Sequence, residues 1–380
     1  MQTHDETMLR RFRTKERVME LGSDELEKLR LTEERGDAYA QYGYGRWLYF
    51  CNPSDDAMKK AEELFFATKD FIPDSLAAYA QMLRYGETTV THAAIMDIER
   101  SEQLNNEAIK RGSTLAATQQ ARHRIFGNFC ESEPQQVATE IEMRLSDYPD
   151  NDPLWYLLLA YAYEEAGRQE DAIRLYEEAI EHGEVEAYFY LAFTYQRRGN
   201  MALYEALMEE GCEKGCTTCL IYQSDTADDD FDTLPKNQQQ LLHQQLDERL
   251  HRGLKLGEGL CAYYLWMHHY YGGLGYTADR EKAFAYLKRG IQLASTPCII
   301  QMATEAESGH LPNSMRLSAT DIAELWLKAA RYAPYDEEVM LALQRVSDPV
   351  FLLRHKEELE HYWLSRFDED EDDGRFDAWT

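Results

Sequence analysis

Gly259-Leu260-Cys261-Ala262-Tyr263-Tyr264-Leu265-Trp266 opens the most informative stretch of this chain. Tyr270, Gly273-Leu274-Gly275-Tyr276, Asp279, Lys282-Ala283, Leu287 and Gly290 follow at fixed intervals. The reading is a helix, a tight turn and a second helix. The two glycines have a mechanical reason, because the turn between antiparallel helices needs positive-φ residues. The Ala and Gly positions let helix backbones approach closely.

The same pattern recurs. Asp37-Ala38-Tyr39-Ala40-Gln41-Tyr42-Gly43-Tyr44-Gly45 looks like another opening helix, with Lys60-Ala61 and Ala67 in its partner. Tyr156, Leu159, Ala160, Tyr163, Gly167, Ala172, Tyr176 and Ala179 form a third copy, and Tyr188, Leu191, Ala192, Tyr195 and Gly199 repeat much of it. Lining up one anchor per copy gives Ala40, Ala77, Ala116, Trp155, Ala187, Thr218, Ala262, Cys298 and Val339, spaced 31 to 44 residues apart. Fixed periods of this size mark repeat architectures. An irregular helical bundle would also show amphipathic helices. The ordered recurrence of Gly turns and Ala positions is what favours repeats.

These motifs resemble the Sel1-like and tetratricopeptide (TPR-like) repeats over about residues 36–345, with strong motifs in under half of that span. The resemblance implies an all-α fold, a right-handed α-solenoid of about eight or nine helical hairpins. It also implies that the first helix of each hairpin lines a concave face. In that frame the inward positions are Tyr42, Arg46, Tyr49, Tyr79, Tyr161, Glu164, Phe189, Phe193, Gln196, Arg197, Tyr264, His268 and Tyr271. That is an aromatic ladder with scattered polar groups, and Tyr and Arg carry much of the energy of interfaces.

The ends and interruptions divide the 380 residues further. Residues 1–35 read as capping helices, 36–222 as repeats, 223–237 as an acidic loop and 238–347 as further repeats. Residues 348–367 read as a closing helix and 368–380 as an acidic disordered tail. The basic cluster Arg10, Arg11, Arg13, Lys15 and Arg17 reads as the solvated face of the N-terminal cap.

Charge and composition bound the function. The net charge is −29 with 44% hydrophobic residues, so a packed core is affordable and nucleic acid is disfavoured as a partner. Seven cysteines at irregular spacing make a poor disulfide framework and fit a reducing, cytoplasmic setting. No apolar stretch follows the basic N-terminal cluster as a secretory signal would require. The longest apolar run, Leu154–Tyr163, is well short of the ~20 residues of a membrane span.

Candidate chemistry is sparse. Cys212, Cys216 and Cys219 have the C-x3-C-x2-C spacing of an iron–sulfur site, but they fall between two repeat helices, where Cys also serves as a small apolar filler. His268 and His269 are adjacent in a helix, so they point about 100° apart and rarely share one ligand. No phosphate loop, nucleophile motif or His-Glu-x-x-His is present. The acidic loop lacks the twelve-residue calcium pattern.

The expectation is therefore a non-enzymatic protein-interaction scaffold without a cofactor. It would bind a protein or peptide segment, basic on charge grounds, in the concave groove, with no nucleic-acid or membrane partner. Two alternatives are an acidic immunity or antitoxin-type protein neutralising a basic toxin, and a metal-cluster enzyme built on Cys212, Cys216 and Cys219. A purely structural assembly partner without a peptide groove is a third.

Overall fold

The structure is a computed structural model, described for residues 8–19, 21–51, 55–84, 97–128, 130–147, 152–225, 231–333, 336–356 and 359–360. Residues 226–230 of the acidic loop and all of the acidic tail lie outside the described residues. Among the described residues there is no β-strand, and an isolated antiparallel bridge joins Gly273 to Tyr276. No helix there is long and apolar enough to cross a membrane.

Two helices, α1 (Lys15–Met19) and α2 (Ser23–Glu33), precede the hairpins. The hairpins then follow in order. They are α3 (Ala38–Cys51) with α4 (Asp55–Thr68), α5 (Pro73–Arg84) with α6 (Ile98–Lys110), and α7 (Thr114–Phe126) with α8 (Pro134–Asp147). Next come α9 (Leu154–Glu165) with α10 (Gln169–Glu181), α11 (Glu186–Arg197) with α12 (Met201–Lys214), and α13 (Thr217–Asp225) with α14 (Lys236–Lys255). The last are α15 (Gly259–Tyr271) with α16 (Arg280–Gln292), α17 (Thr296–Glu307) with α18 (Ala319–Tyr332), and the short pair α19 (Glu337–Gln344) and α20 (Pro349–Arg354). Each of the nine sequence anchors falls on the first helix of a pair.

The second helix of each pair packs on the first helix of the next, and first helices stack on one another, as α5 on α7 and α15 on α17. The core is accordingly a chain of clusters in sequence order. One runs from Leu9 to Ala116, the next from Ala121 to Leu191, and the last from Ile299 to Leu359. This is the quasi-one-dimensional packing of a solenoid.

Local rules explain the helix ends. After α9 and α11 the chain turns through Gly167 (φ 77°) and Gly199 (φ 76°). In both, the next N–H closes on a carbonyl five residues back, Arg168 on Tyr163 at 2.7 Å and Asn200 on Tyr195 at 2.9 Å. These are glycine-stopped ends whose last carbonyls are satisfied. The expected loop at 223–237 is narrower than its sequence suggests, because α13 runs to Asp225 and α14 begins at Lys236.

The junctions between hairpins depend on a pair of small residues eight apart. Ala108 pairs with Ala116 and Ala179 with Ala187, all fully buried. Later junctions use Gly211 with Cys219, Gly253 with Cys261 and Gly290 with Cys298. A Cβ on Gly211 would lie 2.7 Å from the Cys219 sulfur, closer than real contacts allow.

The stack coils back on itself. A Cβ on Gly257, between α14 and α15, would lie 3.9 Å from Cys51 Cα and 3.8 Å from Met19 Cε. The end of the first α3 helix thus meets the junction of the sixth and seventh hairpins, and about one turn of the superhelix separates them.

Candidate functional site

Acidic residues sit where the first helices begin. This is locally favoured, since helix N-termini carry partial positive charge and free N–H groups. Asp74 lies in the first turn of α5 and accepts from Ser113 Oγ at 2.6 Å. Asp152 precedes α9 and accepts from the Leu154 N–H at 3.2 Å. Glu184 precedes α11, and Glu258 caps α15 by accepting from the Leu260 N–H at 3.2 Å. In sequence these four carboxylates span 184 residues. In the structure they converge on one segment.

That segment is residues 8–19. Arg13 bridges two hairpins, its Nε donating to Asp74 at 2.9 Å and its Nη1 to Asp152 at 2.7 Å. All three side chains are essentially excluded from solvent. Arg17 donates from Nη2 to Asp152 at 2.8 Å and also to Glu184. Lys15 Nζ donates to Glu258 at 2.9 Å, 243 residues away. Burial alone would push the Asp152 carboxyl up, but the Arg17 and Arg13 guanidiniums outweigh it and hold its pKa below the ordinary aspartate value.

The backbone of the segment is held as well. Arg46 of α3 donates to the carbonyls of Phe12 and Arg13, both at 2.8 Å. The Phe12 ring meets Tyr42 edge-on at 6.1 Å and lies against Gly43, where a Cβ would be 2.6 Å from the ring. Leu9, Phe12 and Val18 are buried in the first core cluster. Arg13, Lys15 and Arg17 are therefore drawn into the stack, contrary to the sequence reading of a solvated face, while Arg11 stays exposed. The coiling of the stack carries those three between the helix ends.

The thirteen predicted groove residues divide. Tyr42, Arg46, Tyr79, Tyr161, Phe189 and His268 are buried and line no open wall. Tyr161 packs among Phe126, Tyr176 and Tyr190, with ring centroids 4.5 to 6.0 Å away. Tyr79 meets Phe66, and Phe189 meets Phe193 at 4.6 Å. These rings are buried because they fill the gaps between neighbouring helices of the stack. Tyr49, Glu164, Phe193, Gln196 and Tyr264 are half-buried, while Arg197 is exposed and Tyr271 is 67% exposed. Glu164 gathers Tyr176 Oη at 2.6 Å, Thr194 Oγ1 at 2.9 Å and Arg197. It ties α9 to α10 and α11 and holds Arg197 in place.

The other sequence candidates are packing groups. Cys212, Cys216 and Cys219 join Tyr188, Phe189, Ala192 and Met208 in one apolar cluster. Burial pushes the Cys212 thiol up to about 12, and hydrogen bonding to Cys216 together with burial drives Cys219 well above the usual thiol range. Among the described residues no group of three or more His, Cys, Asp or Glu is arranged to hold a metal ion. His268 and His269 are both buried, and each stacks on a different tyrosine. His268 stacks on Tyr276 at 5.0 Å and His269 on Tyr286 at 5.5 Å. Burial lowers the His269 pKa.

No protein-family model matches this chain, and no curated protein matches it. Among solved structures it is similar to c5321, described as a protective antigen of uropathogenic Escherichia coli strains displaying an SLR fold. Identity is 14% and the TM-score 0.43, over 94% of this chain and 76% of that one. It is also similar to a Sel1 repeat protein from Oxalobacter formigenes, at 16% identity and TM-score 0.43, over 87% of this chain and 92% of that one. At these values the likeness carries no argument about function, and the architecture stands on the helix pairs described above. In hairpin order and in its Gly–Ala repeat motif, the chain is an all-α solenoid similar to Sel1-like repeat proteins.

Proposed function

We propose that the protein is a non-enzymatic interaction scaffold that binds a basic segment of a partner protein. The observation that carries this reading is intramolecular. The solenoid holds a basic stretch of its own chain on carboxylates from four separate hairpins, Asp74, Asp152, Glu184 and Glu258. A surface that gathers arginines in this way has the charge and the backbone donors for a protein segment. The overall charge of −29 would also speed encounter with a basic partner.

An arginine-rich peptide and its glutamate-substituted counterpart, each immobilised, test the reading. The chain should be retained by the first, and retention should fall as salt rises from about 0.05 M to about 0.5 M, where the Debye length shrinks several-fold. Equal retention on both peptides, or retention that ignores salt, would remove the basic-partner reading.

A further inference from the structure

The seating of residues 8–19 has the features of a bound guest. Phe12, Arg13 and Lys15 each meet a different part of the solenoid, and Arg17 shares Asp152 with Arg13 and adds Glu184. Phe12 uses the space left by Gly43, and Arg46 clamps the two carbonyls beside it. Arg13 and Arg17 each span two carboxylates, which suits the forked guanidinium and not a point charge. Lys15 meets the carboxylate of Glu258. The segment is joined to the rest of the solenoid through Gly22, which is exposed and has open space around it.

We propose that this pole of the solenoid is a docking site for a partner segment of the form aromatic-Arg-x-Lys-x-Arg, and that residues 8–19 are its built-in competitor. The proposal rests on the basic-partner reading above and adds a place and a recognition rule. Exchange is the favoured route because emptying the site takes the cationic partners from Asp74, Asp152, Glu184 and Glu258 together. A partner with the same cations replaces each pair like for like. The tether gives the chain's own segment an effective concentration on the order of millimolar, so a partner in trans is disfavoured until the tether is cut or the segment is pulled away.

The experiment places a protease site directly after Gly22 in the full chain. The protein is purified folded, cut, and mixed with a labelled peptide copying residues 8–19. The expected result is incorporation of the peptide into the cut protein with at least about tenfold tighter apparent binding than into uncut protein. A peptide with alanine in place of Arg13 and Arg17 should not exchange. Cut protein that stays helical but does not exchange, or that unfolds, makes the segment a permanent strut and overturns the proposal. An Asp152→Asn chain adds a second readout. If cut Asp152→Asn, freed of its own segment, takes up the peptide as tightly as the unaltered cut chain does, Asp152 is no part of the receiving site and the proposal is wrong.

Discussion

Gly290 at the end of α16 lies flat against Cys298 of α17, eight residues later, and the Ser295 N–H closes the turn between them on the Gly290 carbonyl at 2.9 Å. Gly253 with Cys261 and Gly211 with Cys219 repeat the arrangement. Ala108 with Ala116 and Ala179 with Ala187 occupy the same positions earlier in the stack. Glycine with cysteine brings the same number of side-chain heavy atoms as alanine with alanine. The two solutions fill one junction equally.

This relationship predicts a non-additive pair. Gly290→Ala alone overpacks the junction and should cost about 1–3 kcal/mol. Adding Cys298→Ala recreates the earlier junctions and should recover most of that loss. Urea unfolding of the singles and the double measures the coupling. Equal stability of Gly290→Ala and the unaltered chain would show that the junction is slack.

Arg13 is predicted to be the most costly charge to remove. Arg13→Ala leaves Asp74 and Asp152 buried with a lost partner, a loss of about 3–5 kcal/mol by comparison with other buried pairs. Arg11, paired with Glu25 in full exposure, should be replaceable by alanine with no resolvable change in melting temperature. Thermal melts of the two variants make the comparison.

Acid should loosen the same segment. The folded-state pKa of Asp152 lies below its unfolded value, so the stability it contributes is present above the ordinary carboxylate range. That stability is lost as pH falls from about 4 through the folded value. Hydrogen exchange of the Phe12–Val18 amides should therefore accelerate below that pH ahead of α9 and α10. Uniform exchange across the chain would contradict this.

The thiols should react in a defined order. Cys130 is exposed, whereas Cys212, Cys216, Cys219, Cys261 and Cys298 are buried. Burial raises Cys212, Cys261 and Cys298, so almost no thiolate is present near pH 8. A thiol reagent should label Cys130 rapidly in the native protein and the buried five only after unfolding. Rapid native labelling of Cys212 or Cys219 would reopen a chemical role for them.

Much of the architecture was legible in the residues. Ala, Gly and Tyr at helical spacing place the first helices anchored at Ala40, Ala77, Trp155, Ala187 and Ala262, the repeat spacing places the other four, and Gly167 and Gly199 mark where two of them stop. Cysteine at a repeat's Ala position was also legible, though its glycine partner eight residues earlier shows only once the helices are packed. The groove was less readable. A repeat frame gives the direction of Tyr161 or Phe189, but whether the neighbouring hairpin covers that direction depends on how closely successive helices approach.

By itself the sequence determined the local units, because helix pairing and helix stops depend on residues a few positions apart. The path of residues 8–19 was decided by the tertiary structure alone. Superhelical curvature is the sum of small rotations at every junction, and only that sum brings Asp74, Asp152, Glu184 and Glu258 to Arg13, Arg17 and Lys15. No spacing in the chain encodes contacts across 61 to 243 residues, so Arg13, Lys15 and Arg17, which read as solvated surface, become ion pairs to distant hairpins.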